Sequence, residues 1–236
     1  MTGSTFPGGT SISFLDIYAD GAPDGLRGGS PHAHLVSTEA YIVVGGSGAL
    51  QTIDGAGFRE TPLEPGRIVW FTPGTIHRAV SHGDLRVAVL MSNAGLPEAG
   101  DAVLTFPADV LADPAAYARA ADLGAGDERA GRARARRDLA VEGFLAIRRS
   151  VEEGGDGLAR FHRAATELVR GRAGSWEALI QAGPAARVEQ SLRDVAAVLA
   201  GDPSHLAAAR ATEAAPSPEP GYGMCGRLTA YNGRGV

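Results

Sequence analysis

Residues 31–48 read PHAHLVSTEAYIVVGGSG. His32 and His34 are two apart, so on a strand both side chains leave the same face. Glu39 comes five residues after His34, which on an unbroken strand would send it to the opposite face. A bend at Ser37–Thr38, residue types that favour turns, brings it back. Tyr41–Val44 then reads as a second strand, ended by Gly45–Gly48. Two imidazoles and a carboxylate gathered in this way are ligands that a divalent metal ion takes.

Short strands continue on both sides of this stretch. Ser11–Tyr18 alternates polar and apolar side chains at its start. Further β-rich runs lie at His32–Val36, Tyr41–Val44, Ala49–Ile53, Phe58–Leu63, Ile68–Phe71, Ile76–Val80 and Leu85–Met91. Between them stand Gly45-Gly46, Asp54-Gly55, Pro65-Gly66, Pro73-Gly74 and Gly83-Asp84, which are turn chemistry. Many short strands with regular glycine turns predict an antiparallel sandwich or barrel.

His32, His34, Glu39 and Gly46 have the spacing of the first motif of the cupin superfamily, which this stretch resembles. Residues 66–77, GRIVWFTPGTIH, resemble the second motif through Gly66, Pro73, Gly74 and His77. The likeness runs over roughly residues 10–92. It departs from the pattern at Leu26, where the family has glycine, at one extra residue before Pro73, and at Ser81 in place of an asparagine. No departure removes a ligand. The resemblance implies a mainly β jelly roll, the cupin double-stranded β-helix. It also implies one divalent transition metal ion (Fe, Mn, Ni or Zn) held by His32, His34, Glu39 and His77. Three histidines and a carboxylate leave open positions on a six-coordinate ion. The implied activity is a metal-dependent dioxygenase acting on a small oxygen-rich molecule. A sugar isomerase-like cupin and a non-catalytic binding or regulatory cupin are the alternatives. Oxygenase chemistry is favoured because the sequence shows no second carboxylate beside the motifs to carry a proton. Glu39 and Tyr41 are the catalytic candidates, since Tyr41 shares the parity of Glu39 and points into the same cavity.

After Phe106 the composition changes. Asp113-Pro114 predicts a capped helix start. Apolar stripes at helical spacing follow at Ala140, Phe144, Ile147 and Val151, at Leu158, Phe161, Ala165 and Leu168, and at Val188, Leu192, Val195 and Leu199. The expected division is a barrel over residues 1–106, an α-helical extension of four to six helices over 107–211, and a flexible tail over 212–236, which includes the low-complexity TEAAPSPEPGYG.

The 236 residues are 44% apolar and carry a net charge of −5. That balance predicts a small-molecule substrate and no nucleic-acid partner. No apolar run approaches a membrane span and no signal peptide is evident, so no membrane and a cytoplasmic location are expected. A homodimer is compatible with the stripes. Every one of the 22 basic residues is arginine. This excludes lysine chemistry and suits a GC-rich bacterial genome. Lone Cys225 reads as incidental. The run Arg129–Arg137 reads as a solvated helix face, His162 and His205 as surface or boundary residues remote from the motifs, and His82 as a solvent-exposed residue in the turn after the His77 strand. Trp70, Phe71 and Phe58 read as core. Gln51, mid-strand among apolar neighbours, needs a polar partner, and Arg78 should face away from His77.

Overall fold

The structure is a computed structural model and describes residues 6–235. Its strands are β1 (Ser11–Ile17), β2 (His32–His34), β3 (Glu39–Asp54), β4 (Gly57–Leu63), β5 (Ile68–Phe71), β6 (Ile76–Met91), β7 (Ala102–Leu104), β8 (Thr212–Pro216), β9 (Gly221–Tyr222) and β10 (Gly226–Gly235). The helices are α1 (Ala108–Ala112), α2 (Pro114–Ala121), α3 (Arg129–Glu152), α4 (Gly157–Ala173), α5 (Trp176–Ile180) and α6 (Ala186–Leu199). The predicted jelly roll with a helical extension is present.

The long strands β3 and β6 pair antiparallel along nearly their whole length and bend together. Their first and last halves serve different sheets. One sheet runs β5, the start of β3, the end of β6, β1, β10. The other runs β4, the end of β3, the start of β6, β2, β7. The glycines at 45–48 and 83 therefore do not end strands, as the sequence suggested. They let a continuous pair bulge, and the register shifts between Val43 and Gly48. Gly46 sits at φ +69°, and a Cβ there would lie 2.1 Å from the Asp84 carbonyl. Only glycine fits the bend.

The alternation of each strand builds two cores. Leu15, Tyr41, Val43, Phe71, Val87 and Val89 fill the space between the sheets. Ala33, Ile53, Ile76 and Val103 point to the back of the second sheet, where Phe106, Phe144, Phe161 and Ala165 cover them. The first two helical stripes thus pack on the sheet that carries the histidines. The third does not: Val188, Leu192, Val195 and Leu199 on α6 are exposed. The outer face of the first sheet is also open. Trp70, expected in the core, is 70% exposed there because it alternates with inward-facing Phe71.

The tail is not a flexible appendage. Residues 226–230 of β10 pair with β1, and β8 and β9 pair with β10. The apolar residues Leu228 and Cys225 belong to the core between the sheets. The low-complexity composition concealed a strand whose pairing partner lies some two hundred residues earlier. The basic run also differs from its prediction. Arg132 is exposed and bonded to Glu128 and Asp122. Arg136 and Arg137, by contrast, are buried. Arg137 donates to the Asp20 and Gly21 carbonyls and Arg136 to that of Gly223, so these side chains anchor loops to α3.

Candidate metal centre

The second sheet delivers three imidazoles. His32 on β2 lies directly opposite His77 on β6, and His34 is two residues further along β2. The chain bends after His34, as expected, and Glu39 opens β3 in the facing sheet. One ligand atom from each of the four residues lies within 4.8 Å of the others. All four side chains are buried.

The outer ring nitrogens fix how the imidazoles point. His32 Nδ1 donates to the Ser30 carbonyl (2.9 Å), His77 Nδ1 to the Thr75 carbonyl (3.2 Å) and His34 Nδ1 to Asp101 Oδ2 (3.3 Å). Each bond leaves Nε2 free to face inward with its lone pair, which is how metal-binding histidines are oriented. Nε2 of His34 and of His77 each come to 3.1 Å from Glu39 Oε2. Beyond these contacts with each other, His77 Nε2 and Glu39 Oε2 have no hydrogen-bond partner. Buried polar atoms without partners are costly, and a cation between them satisfies both. The donor set fits a divalent transition metal ion.

The charges in the pocket follow from the same contacts. Burial and the neighbouring His77 and His34 push His32 well below its ordinary value, so it is neutral. Burial also opposes a charge on His34, but its bonds to Asp101 and Glu39 outweigh that and raise it to about 9. Burial alone would raise Glu39, and the two imidazoles beside it outweigh burial and hold it far below the usual carboxylate range. The pocket thus keeps an ionised carboxylate among the imidazoles, and a bound ion would displace the proton that His34 holds at neutral pH.

Asp101 was not legible as part of the site. Its carboxylate accepts from the backbone N–H groups of Leu35 (2.9 Å), Val36 (2.7 Å) and Ser37 (3.0 Å), as well as from His34. It therefore sets both the bend and the ligand on it. So a second carboxylate does stand beside the motifs, contrary to the expectation. Its oxygens are committed to these bonds, and it does not line the cavity.

His32, His34 and Glu39 border a cavity of about 610 Å³, and His77 lies fully buried beside them. Its walls are largely apolar, with Ile12, Leu15, Val89, Met91, Met224 and Leu228 among them. Tyr41 lines it too, as its parity with Glu39 predicts. The phenol donates to Cys225 Sγ at 3.5 Å. Cys225, read as incidental, is buried on this wall. Burial pushes its thiol up to about 11 and raises Tyr41 well above 10, so both stay protonated at neutral pH. Phe71 packs on His77 with ring centroids 4.1 Å apart. Glu98 is a second carboxylate on the cavity lining, and the described lining residues include no arginine.

Other candidates lie elsewhere. Gln51 bonds Glu60 across β3 and β4. Arg78 faces away from His77, as expected, and is buried against Asp24 and the Gly29 carbonyl. His82 is exposed. His162, read as remote, is not: its ring reaches the turn before His77. Among the described residues no helix is long and apolar enough to cross a membrane.

Comparison with known proteins places this site in a family frame. Residues 22–93 match the family model described as "Cupin domain". No curated protein matches the sequence. Among solved structures, the chain is similar to an uncharacterised conserved protein with a double-stranded β-helix domain from Klebsiella pneumoniae. Identity is 17% and the TM-score 0.27, over 35% of this chain and 64% of that one. It is also similar to a TDP-fucose-3,4-ketoisomerase from Campylobacter jejuni, at 20% identity and TM-score 0.29 over 34% and 58% of the two chains. The matched region thus spans less than two thirds of either protein, and scores this low carry no argument about activity.

Proposed function

The chain carries a cupin domain, and from that premise we propose that it is a metal-dependent enzyme. Its substrate would be a small neutral molecule with adjacent oxygen donors on a largely apolar body, and its reaction a dioxygenation. The observation that carries this reading is the pairing of an open-sided three-histidine, one-carboxylate centre with an apolar cavity of about 610 Å³. Apolar walls suit a hydrocarbon body and O₂ better than a polyol, whose hydroxyls would need polar partners on every side.

A bound ion of this type supplies Lewis-acid binding for the substrate oxygens and, if redox-active, access to O₂. The rest is the work of the chain. His32, His34 and His77 are held by their outer nitrogens, so they need not reorganise when an ion binds. Glu39 supplies negative charge and lines the cavity, where it would take a proton from an acidic C–H or O–H. Tyr41 stays a phenol and acts as a hydrogen-bond donor to developing oxygen charge. The apolar wall excludes water. The overall change places both atoms of O₂ in the product across a cleaved carbon–carbon bond, with the substrate supplying the four electrons, so no external reductant is needed.

The test is O₂ consumption by protein loaded separately with Fe(II), Mn(II), Ni(II) and Zn(II), against neutral enediols, 1,3-diketones and unphosphorylated sugars. Uptake that tracks formation of a cleaved product supports the proposal. Sugar isomerisation without O₂ uptake would assign the isomerase alternative, and tight binding without turnover would assign a binding module.

A further inference from the structure

The helical half packs on the back of the sheet that bears the histidines, and one contact reaches the ligand turns directly. His162, on α4, donates from Nε2 to the Gly74 carbonyl at 2.7 Å. Gly74 lies in the Pro73–Thr75 turn, just before β6 and His77. Its own N–H donates to the His34 carbonyl at 2.8 Å. A single residue thus joins the turn before one ligand, the backbone of a second ligand, and a helix 88 residues later. The fit leaves no slack. Gly74 has φ +86°, and a Cβ on it would stand 3.3 Å from His162 Nε2. A substitution there would be strained in its backbone as well as crowded.

Two further contacts brace the same region. The Thr105 hydroxyl lies between the Ala140 carbonyl of α3 (2.8 Å) and the Pro31 carbonyl (3.1 Å), one residue before His32. Trp176 of α5 donates to the Ala99 carbonyl at 3.1 Å, in the turn that carries Asp101. Three helices therefore each hold a segment adjoining a ligand or its carboxylate partner.

We propose that the helical extension is an outer support of the metal centre and that His162 is a positioning residue for His77 and His34. This rests on the metal-binding reading of those residues. Metal affinity is sensitive to ligand placement, and loss of partners behind the ligands typically costs 10–100-fold. Linkage is reciprocal: if docking of α4 tightens the site, a bound ion must tighten the docking of α4.

The experiment uses the full-length chain with Co(II) as probe. Affinity is measured by chelator competition and coordination by the visible d–d spectrum. Hydrogen exchange of α4 is followed with and without the ion. His162→Ala is expected to weaken Co(II) binding by roughly 10–100-fold, alter the spectrum and remove the metal-dependent protection of α4. His162→Gln, whose amide can donate to the same carbonyl, is expected to restore the wild-type spectrum and most of the affinity. Phe161→Leu, one residue away in the helical core, serves as a variant that lowers stability without touching Gly74. If wild type binds no metal, the reading of the site fails. If wild type binds and His162→Ala binds as well as it does, or loses no more than Phe161→Leu, the positioning role is overturned.

Discussion

The Asp101 carboxylate joins His34 Nδ1 to the backbone of the bend that follows His34. One side chain thus fixes a ligand's ring and the turn that returns the chain to Glu39. Asp101→Ala removes an acceptor from three backbone donors at once. Leaving a buried donor unsatisfied costs about 1–3 kcal/mol. Only the Ser37 N–H is fully buried among them, and Leu35 N–H keeps the Asp101 backbone carbonyl, so the variant should lose about 1–3 kcal/mol of stability in chemical denaturation and bind metal roughly 10–100-fold more weakly. Asp101→Asn keeps one acceptor oxygen and should fall between wild type and Asp101→Ala in both measurements.

This residue shows where the sequence was informative. Ligands 32, 34 and 39 share one short stretch, so parity and a bend group these three, while His77 entered only through the resemblance to the second cupin motif. Asp101, Cys225 and His162 act across 67, 184 and 88 residues, respectively. No local period marks a contact at that range. The tail strand was hidden for the same reason: its pairing with β1 depends on a partner, and its composition suggested disorder. Helical stripes predicted the helices correctly, but a stripe does not say whether a face is covered. Those of α3 and α4 are covered, and that of α6 is open.

Tyr41 can be separated from the ligands. Tyr41→Phe keeps the edge contact with Phe71, whose ring centroid is 5.3 Å away, and loses only the hydroxyl. Metal content should stay at the wild-type level and stability should change by less than about 1 kcal/mol, since the lost bond is one weak contact to sulfur. Turnover should fall by roughly 100-fold or more if the phenol serves the reaction. Metal analysis beside steady-state rates checks this, and unchanged turnover would remove Tyr41 from the catalytic set.

Asp24 should govern part of the acid sensitivity. Burial works against its charge, but the hydrogen bond and charge of Arg78 outweigh burial and hold the carboxyl below its ordinary 3.8. A depressed folded-state pKa contributes stability above the unfolded value, and that contribution is lost as pH falls through the folded one. Melting temperature should therefore drop below about pH 4. Asp24→Asn should be less stable than wild type at pH 7 by about 2–3 kcal/mol, less than a fully buried pair because Asp24 keeps some contact with water. The gap should narrow in acid. A gap that stays constant from pH 7 to pH 3 would contradict the assignment.

Cys225 should be inert while the chain is folded. It is buried, and burial pushes its thiol up to about 11, so neither access nor thiolate is available at neutral pH. A chromogenic disulfide reagent should titrate no thiol in native protein at pH 7.5 and one per chain in denaturant. Rapid labelling of the native protein would mean that the tail strand opens readily.

The central claim is that His32, His34, Glu39 and His77 form one metal site, and the most direct test is metal stoichiometry on chelator-stripped protein reloaded without oxygen. Wild type should take up one divalent transition metal ion per chain and melt higher by the mass-action amount, about 2.7 kcal/mol at a hundredfold excess over Kd. His77→Ala should bind far less at the same free-ion concentration and show little of the shift. Equal stoichiometry and equal stabilisation in wild type and His77→Ala, or no ion bound by wild type at all, would contradict it.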